Sequence, residues 1–291
     1  MIRTHIQLGI NNYGNSGASL KGCLNDLLNF NAAMRRHDAF VSSRQTYTDK
    51  QASTNQWRSL LDWIPSQTAD VIIFQNSSHG STLPDDNSDE LISRVDQCFV
   101  PQDYSRYGFI RDDLNGIAAD ALAAKGKDQT IVWIADSCFS GNSQRLLPQS
   151  ITPFNLRNRV KRAFSLDLDR MLPASLITAK AILATGKKQP REIAAVQPVT
   201  ASLDPNITYN NEPSILIACA RANETAADAV INGKPAGAGT WALIAAWDKL
   251  GNQATYEQVV KAANAWLTNN NFAQRIQLQG RTDKLRRVFL T

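Results

Sequence analysis

The sequence lacks most of the features that would assign a protein to a class at once. Its four cysteines form no CxxC pair, so nothing indicates a zinc or redox motif. No apolar run is long enough to span a membrane, and the amino terminus enters a strand-like segment without a signal peptide. The net charge is only +5, and the basic residues form no single helical stripe, which argues against nucleic-acid binding. We therefore expect a cytoplasmic protein that binds neither nucleic acid nor membrane, with reduced and largely buried thiols.

What the first half does contain is an alternation of strand-like and helix-like segments. The apolar runs typical of buried parallel strands are His5–Ile10, Ala69–Phe74 and Thr130–Ala135. Apolar residues at helical spacing predict helices at Ser19–Arg36, Thr54–Ile64 and Asp112–Ala124. This repetition predicts an α/β fold with a mostly parallel central sheet and helices on both faces.

The pattern changes after residue 141. Residues 142–212 are irregular and hold ten basic and five acidic residues. Beyond them, the regular segments are a buried strand at Ser214–Cys219, helices at Thr240–Leu250 and Thr255–Thr268, and a last strand at Arg286–Leu290. We therefore divide the chain into a large part at 1–145, a basic linker at 146–212, and a smaller part at 213–291 that completes the sheet.

A thiol and an imidazole each follow a predicted strand. His79 comes after Ala69–Phe74, and Cys138 comes after Thr130–Ala135. Because parallel strands end at the same edge of a sheet, we expect the two side chains to meet there. A thiolate next to an imidazole is the minimum for nucleophilic thiol catalysis, and the backbone N–H groups of Gly80 and Cys138 would bind the oxyanion. The alternative is that Cys138 is a small core residue and His79 an ordinary loop residue.

Three motifs stand in order along the chain: Gly22–Asp26, Ser77–Gly80 and Asp136–Gly141. With further segments over most of residues 5–290, they resemble the caspase-like cysteine peptidases, most of all the metacaspases and bacterial orthocaspases. The resemblance implies a caspase-like three-layer sandwich. It also implies a cysteine endopeptidase made as a zymogen, with Cys138 as nucleophile and His79 as acid and base.

The same resemblance implies a substrate pocket, S1, lined by Asp26, Ser77 and Asp136. Two carboxylates favour a guanidinium or ammonium group, so the expected partners are proteins or peptides with Arg or Lys at P1. Trp241 belongs to a segment that borders the substrate cleft in the family. The alternative for the aspartates is local: Asp26 caps or pairs on its own helix, and Asp136 accepts hydrogen bonds from loop amides.

Calcium is the one cofactor for which the resemblance suggests a binding site. Asp96, Asp112 and Asp113 match three calcium-binding positions of the family, and calcium takes six to eight oxygen ligands. The fourth position holds Arg145, whose guanidinium would pair with the same carboxylates and repel a divalent ion. A calcium site and a charge replacement by Arg145 therefore both stay open, as does a plain helix cap at Asp112.

The basic linker fits a peptidase that cuts after Arg or Lys, because it offers sites for self-processing between the two parts. The alternative is a solvated loop that stays intact. A catalytically silent caspase-like scaffold or regulator is a second candidate function, which the presence of Cys138, His79, Asp26 and Asp136 argues against. Nucleic-acid binding by the linker is a third, and the linker's mixed charge argues against it. Because family members are often monomers, we expect a monomer.

Overall fold

A computed structural model of the 291-residue chain describes residues 1–14, 18–84, 95–137, 159–161, 214–221 and 224–291. Cys138, Arg145 and nearly all of the linker lie outside these residues. The α/β fold that the sequence predicts is confirmed, with a mostly parallel central sheet between helices.

The described residues form twelve strands and seven helices. The strands are β1 (Arg3–Gly9), β2 (Ser43–Thr48), β3 (Val71–Ser77), β4 (Gly80–Pro84), β5 (Val95–Phe99), β6 (Ile110–Arg111), β7 (Thr130–Asp136), β8 (Arg159–Lys161), β9 (Ser214–Ala218), β10 (Ala227–Ile231), β11 (Lys234–Gly237) and β12 (Gln277–Gly280). The helices are α1 (Cys23–Arg36), α2 (Thr54–Trp63), α3 (Tyr104–Tyr107), α4 (Asp113–Ala123), α5 (Ala238–Leu250), α6 (Tyr256–Asn269) and α7 (Thr282–Leu285).

The central sheet has the strand order β12-β9-β7-β3-β1-β2. Every neighbouring pair is parallel except β12 with β9, which is antiparallel. Strands β3 and β7 are buried along their whole length, as expected for apolar runs covered on both faces. Strand β2 is an edge strand and is largely exposed.

Helices cover both faces of this sheet. On one face, α1, α5 and α6 share a continuous core with β3, β7 and β9, in which Phe30 and Ile73 are fully buried. On the other face, the ring of Trp57 from α2 packs 5.6 Å from that of Phe74, which in turn packs 5.0 Å from Trp133. None of the helices in the described part of the chain is long and apolar enough to cross a membrane.

Two small antiparallel sheets flank the carboxyl edge of the central sheet. One contains β4, β5 and β6, and the other contains β8, β10 and β11. Strands β10 and β11 form a hairpin whose turn residues, Asn232 and Gly233, both have positive φ, as a tight type I′ turn requires. This hairpin leads directly into α5, so its position fixes where α5 begins.

Most predicted elements agree with the structure to within a few residues at each end, but the start of α1 and the final strand differ. Helix α1 begins at Cys23 rather than Ser19, because the backbone N–H of Leu20 bonds to the carbonyl of Asn11 instead of entering the helix. The strand predicted at Arg286–Leu290 is wrong. There Val288 makes only an isolated bridge to Thr255, and the edge strand is β12 instead.

Helix α1 is tied to α5 at its carboxyl end. Nη2 of Arg36 donates to both carboxylate oxygens of Asp248, at 2.9 and 2.7 Å, and Nε2 of His37 lies 2.8 Å from the same carboxylate. The imidazole of His37 also stacks on Trp247 at 4.3 Å. These contacts lower the pKa of the Asp248 carboxyl, although its partial burial acts in the opposite direction.

We predict that His5 makes the fold less stable in mild acid. Its side chain in β1 is fully buried, and burial together with the nearby Arg44 guanidinium lowers its pKa from 6.5 to about 3. Below pH 6.5, His5 binds a proton in the unfolded chain but stays neutral in the folded chain. The free energy of unfolding therefore falls as the pH drops toward 3, and at pH 5 it is lower by roughly 2 kcal/mol. Denaturant titrations between pH 4 and 7 should therefore show a shallower pH dependence in His5→Leu, and parallel curves would contradict this account.

Candidate active site

Three central strands reach the carboxyl edge of the sheet at the same register. Gly9 of β1 pairs with Ser77 of β3, and Ser77 pairs with Asp136 of β7. His79 follows Ser77 by two residues, and Cys138 follows Asp136 by two residues in the sequence. The topology therefore brings the chain to one edge just before each member of the candidate dyad, although Cys138 itself lies outside the described residues.

The absence of a side chain at Gly9 lets helix α1 cross close above this edge. A Cβ atom at Gly9 would lie 2.8 Å from Leu27 Cδ1 and 3.3 Å from the Cys23 carbonyl oxygen. A larger residue at Gly9 would force the Leu27 side chain to move and would crowd the backbone of α1 at Cys23. The close approach positions Asp26, in the first turn of α1, beside Ser77.

The Asp26 carboxylate is fully buried and uses both oxygens. Oδ2 accepts a 2.6 Å hydrogen bond from the Ser77 hydroxyl, and Oδ1 accepts a 2.7 Å bond from the backbone N–H of Gly237. Gly237 is the residue that precedes α5. The carboxylate thus connects the large part of the chain to the part that follows the linker.

The Asp136 carboxylate reaches the same helix end. It is fully buried, and its Oδ2 accepts a 2.8 Å hydrogen bond from the backbone N–H of Thr240, in the first turn of α5. Helix amino termini carry a partial positive charge and N–H groups without partners in the helix. Asp26 and Asp136 therefore place two negative charges around the amino terminus of α5.

The His79 side chain is held from two directions and is almost fully buried. Its Nε2 lies 2.7 Å from the backbone carbonyl oxygen of Ala18, and its ring packs 4.9 Å from that of Tyr13. A carbonyl oxygen can only accept, so Nε2 carries the proton, and in the neutral imidazole Nδ1 keeps the lone pair. Nδ1 is therefore the nitrogen available for proton transfer.

Tyr13 also fixes the backbone on which His79 stands. Its hydroxyl accepts a 3.0 Å hydrogen bond from the backbone N–H of His79 and donates one of 3.1 Å to the carbonyl of Val100. Gly80, the next residue, opens β4 opposite Phe99. The chain thus enters β4 immediately after His79.

Sequence patterns did not reveal several of these groups. The carbonyl of Ala18 and the N–H groups of Gly237 and Thr240 are backbone atoms, which carry no residue-type signature. Tyr13 belongs to a segment of family-like sequence, but nothing in that segment shows that its hydroxyl bridges the backbones of His79 and Val100. Trp241 follows Thr240 in α5 and is half-buried, so it lies one residue from the contact with Asp136.

The three aspartates proposed for calcium belong to adjoining backbone segments. Asp112 precedes α4, and its N–H donates a 3.0 Å hydrogen bond to the carbonyl of Gln97, the residue after Asp96. The described side chains contain no group of three His, Cys, Asp or Glu able to hold a metal ion, but those of Asp96 and Asp113 are not among them. The calcium site stays a prediction.

Comparison with known proteins identifies the family. The caspase domain family matches residues 6–289, so the chain belongs to that family. The curated relatives that it resembles include metacaspases. Metacaspase-6 of Arabidopsis thaliana is 29% identical over 48% of this chain and 39% of its own length. Metacaspase-1 of Coccidioides immitis is 26% identical over 95% of this chain and 61% of its own length.

The chain thus spans less than two thirds of the length of these two relatives. A solved structure shows the same fold. The crystal structure of protein GSU0716 from Geobacter sulfurreducens superposes with a TM-score of 0.62 at 19% identity, covering 100% of this chain and 99% of that one. The caspase-like fold expected from the sequence is therefore confirmed.

We predict that Tyr13→Phe destabilises the protein. The change leaves the buried N–H of His79 without the hydroxyl that it bonds to and removes a bond to Val100, so the free energy of unfolding should fall by about 1–3 kcal/mol. Chemical denaturation measures this change. The matched control is Tyr107→Phe, at an exposed position, where a shift within about 0.5 kcal/mol is expected. Equal shifts in the two variants would contradict the bridging role of Tyr13.

Proposed function

We propose that this protein is a cysteine endopeptidase that cleaves after Arg or Lys. The observation that carries the proposal is the position of two buried carboxylates, Asp26 and Asp136, which both lie beside Ser77 at the sheet edge where His79 stands. Membership of the caspase domain family supports the thiol chemistry. The substrates are proteins or peptides.

The charges of the pocket favour a cationic P1 side chain. Asp26 and Asp136 are both fully buried, and both carboxylates lie at the amino terminus of α5, so the pocket that they would line is acidic. Buried charges interact more strongly than exposed ones because the surrounding dielectric constant is low. A guanidinium or ammonium group therefore binds well here, and an acidic side chain is repelled.

Catalysis begins with the Cys138 thiolate and the His79 imidazolium. The sulfur attacks the carbonyl carbon of the scissile bond, and the N–H groups of Gly80 and Cys138 bind the resulting oxyanion. Imidazolium Nδ1 then gives its proton to the leaving amine as the C–N bond breaks, which leaves an acyl-enzyme. Throughout, Nε2 stays protonated and donates its hydrogen bond to the carbonyl oxygen of Ala18.

The second half of the reaction uses the same groups in reverse. Neutral Nδ1 takes a proton from water, which attacks the acyl carbon as the C–S bond breaks. The product leaves as a carboxylic acid that gives its proton to the solvent, and the thiolate and imidazolium are restored. His79 thus acts first as an acid and then as a base.

The linker at 146–212 is the proposed site of self-processing. The part before it supplies Asp26, Asp136 and His79, and the part after it supplies the amino terminus of α5. Because strand β9 pairs with β7 and the carboxylates bind α5, cleavage of the linker leaves the two parts held together by these contacts.

We predict hydrolysis of fluorogenic peptides with Arg or Lys at P1 and none with Asp at P1. Cys138→Ala should abolish turnover. Asp136→Asn should lower kcat/KM for Arg peptides about 100-fold, because it removes one charge of the pocket. Asp283→Asn is the matched control, since that carboxylate is exposed and pairs with Arg281.

Each arm of this assay can contradict the proposal. Cleavage after Asp would overturn the roles of Asp26 and Asp136, and turnover by Cys138→Ala would overturn the role of the thiol. No turnover by the unaltered chain under any condition would favour the silent scaffold. Running every arm with calcium and with a chelator decides between a calcium site and Arg145.

We also predict that the purified chain cuts itself within residues 146–212, after Arg or Lys. Intact-mass spectrometry over time should show two fragments that still co-elute in size-exclusion chromatography. Cys138→Ala should remain a single chain under the same conditions. Fragments that arise equally in Cys138→Ala, or that end outside the linker, would rule out self-processing as described here.

A further inference from the structure

Asp228 is a buried carboxylate that the proposed mechanism leaves unused. It stands on β10, in the part of the chain after the linker, and is 4% exposed. Its Oδ2 accepts a 2.6 Å hydrogen bond from the backbone N–H of Lys21, which precedes α1. A charged acceptor makes this bond stronger than one between neutral groups.

A glycine makes this contact sterically possible. A Cβ atom at Gly22 would lie 2.2 Å from Asp228 Oδ1 and 2.7 Å from the backbone of Ala236. Strands β10 and β11 therefore both lie so close to the backbone of Gly22 that a residue with a side chain would not fit at this position. The fit indicates that the contact is a fixed feature of the fold.

The residues held by Asp228 belong to the segment that orients His79. Residues 18–21 precede Gly22, the amino-terminal cap of α1, so their backbone groups need partners outside that helix. Asn11 supplies two of these partners. Its backbone carbonyl accepts a hydrogen bond from the N–H of Leu20, and its side-chain amide donates one of 3.3 Å to the carbonyl of Lys21. Asp228 supplies the partner for the N–H of Lys21 from the opposite side.

We propose that Asp228 is a positioning residue for His79 and acts through this segment. It anchors Lys21, the segment then fixes the carbonyl of Ala18, and that carbonyl holds the proton of His79 on Nε2. The inference deepens the proposed function and rests on it, since it concerns the same dyad. It makes the orientation of the imidazole depend on the hairpin β10–β11.

The consequence for catalysis follows from the tautomer. The hydrogen bond at one imidazole nitrogen decides which nitrogen is protonated. If the Ala18 carbonyl moves away, the Nδ1–H form of His79 competes, and in that form the lone pair is on Nε2, so Nδ1 cannot take up a proton. A displacement of about 1 Å can lower a catalytic rate by about 100-fold.

The test compares Asp228→Ala and Asp228→Asn with Asp248→Ala. Asp248 also joins α1 to α5, but at the far end of α1, so this control reports the effect of weakened docking alone. Nitrogen-15 multiple-bond NMR spectra of the full chain identify the tautomer of each of its three histidines, and assays on Arg peptides give kcat and KM.

The tautomer spectra are recorded in a Cys138→Ala background at a pH where His79 is neutral, because the imidazolium of the resting enzyme carries a proton on both nitrogens. In that background, with Asp228 unchanged, His79 should show the Nε2–H pattern. In Asp228→Ala the Nδ1–H pattern should grow, kcat should fall about 10- to 100-fold, and KM should change less than about 3-fold. Asp228→Asn keeps an oxygen acceptor and should recover part of kcat. Asp248→Ala should keep both the tautomer and kcat.

The inference is overturned if Asp228→Ala retains the Nε2–H pattern and kcat, or if Asp248→Ala loses kcat to the same extent. If Asp228→Ala does not fold, Asp228→Asn decides the question by the same two readouts. If the unaltered chain cleaves no peptide, the proposed function fails, and the tautomer spectra still decide whether Asp228 positions His79.

Discussion

The amino terminus of α5 is the feature on which the rest of the site depends. Asp26 comes from α1, Asp136 comes from β7, and both bind backbone N–H groups at this one helix end. Buried charges are stable only when hydrogen bonds or opposite charges compensate them. The helix end compensates both carboxylates, so α1, β7 and α5 must keep one arrangement for the site to exist.

Close backbone contacts maintain that arrangement. Gly9 lets α1 lie against the sheet, and Gly22 lets the hairpin β10–β11 lie against the segment before α1. The register of β1, β3 and β7 then brings Ser77 and Asp136 side by side. Because neither glycine has room for a side chain, small displacements in one element pass directly to its neighbour.

Much of the fold could be predicted from the sequence, because long apolar runs such as Thr130–Ala135 have few alternatives to a buried strand. The final strand could not. Arg286–Leu290 has an apolar end, but Phe289 packs between Trp247 and Tyr256 in the core instead of pairing in the sheet. The start of α1 was missed because Leu20 and Lys21 find backbone and carboxylate partners far away in the sequence.

The residues of the candidate site likewise fall into those that the sequence predicts and those that it does not. Side chains with distinctive chemistry, such as Asp26 and His79, could be selected from motifs, whereas the carbonyl of Ala18 could not, since any residue offers one.

The most direct test of the central claim is covalent labelling with a peptidyl acyloxymethyl ketone that carries Arg or Asp at P1, followed by peptide mapping. The account predicts that the Arg reagent labels Cys138 and that the Asp reagent does not. Equal labelling by both reagents, or labelling at Cys23, Cys98 or Cys219, would contradict it.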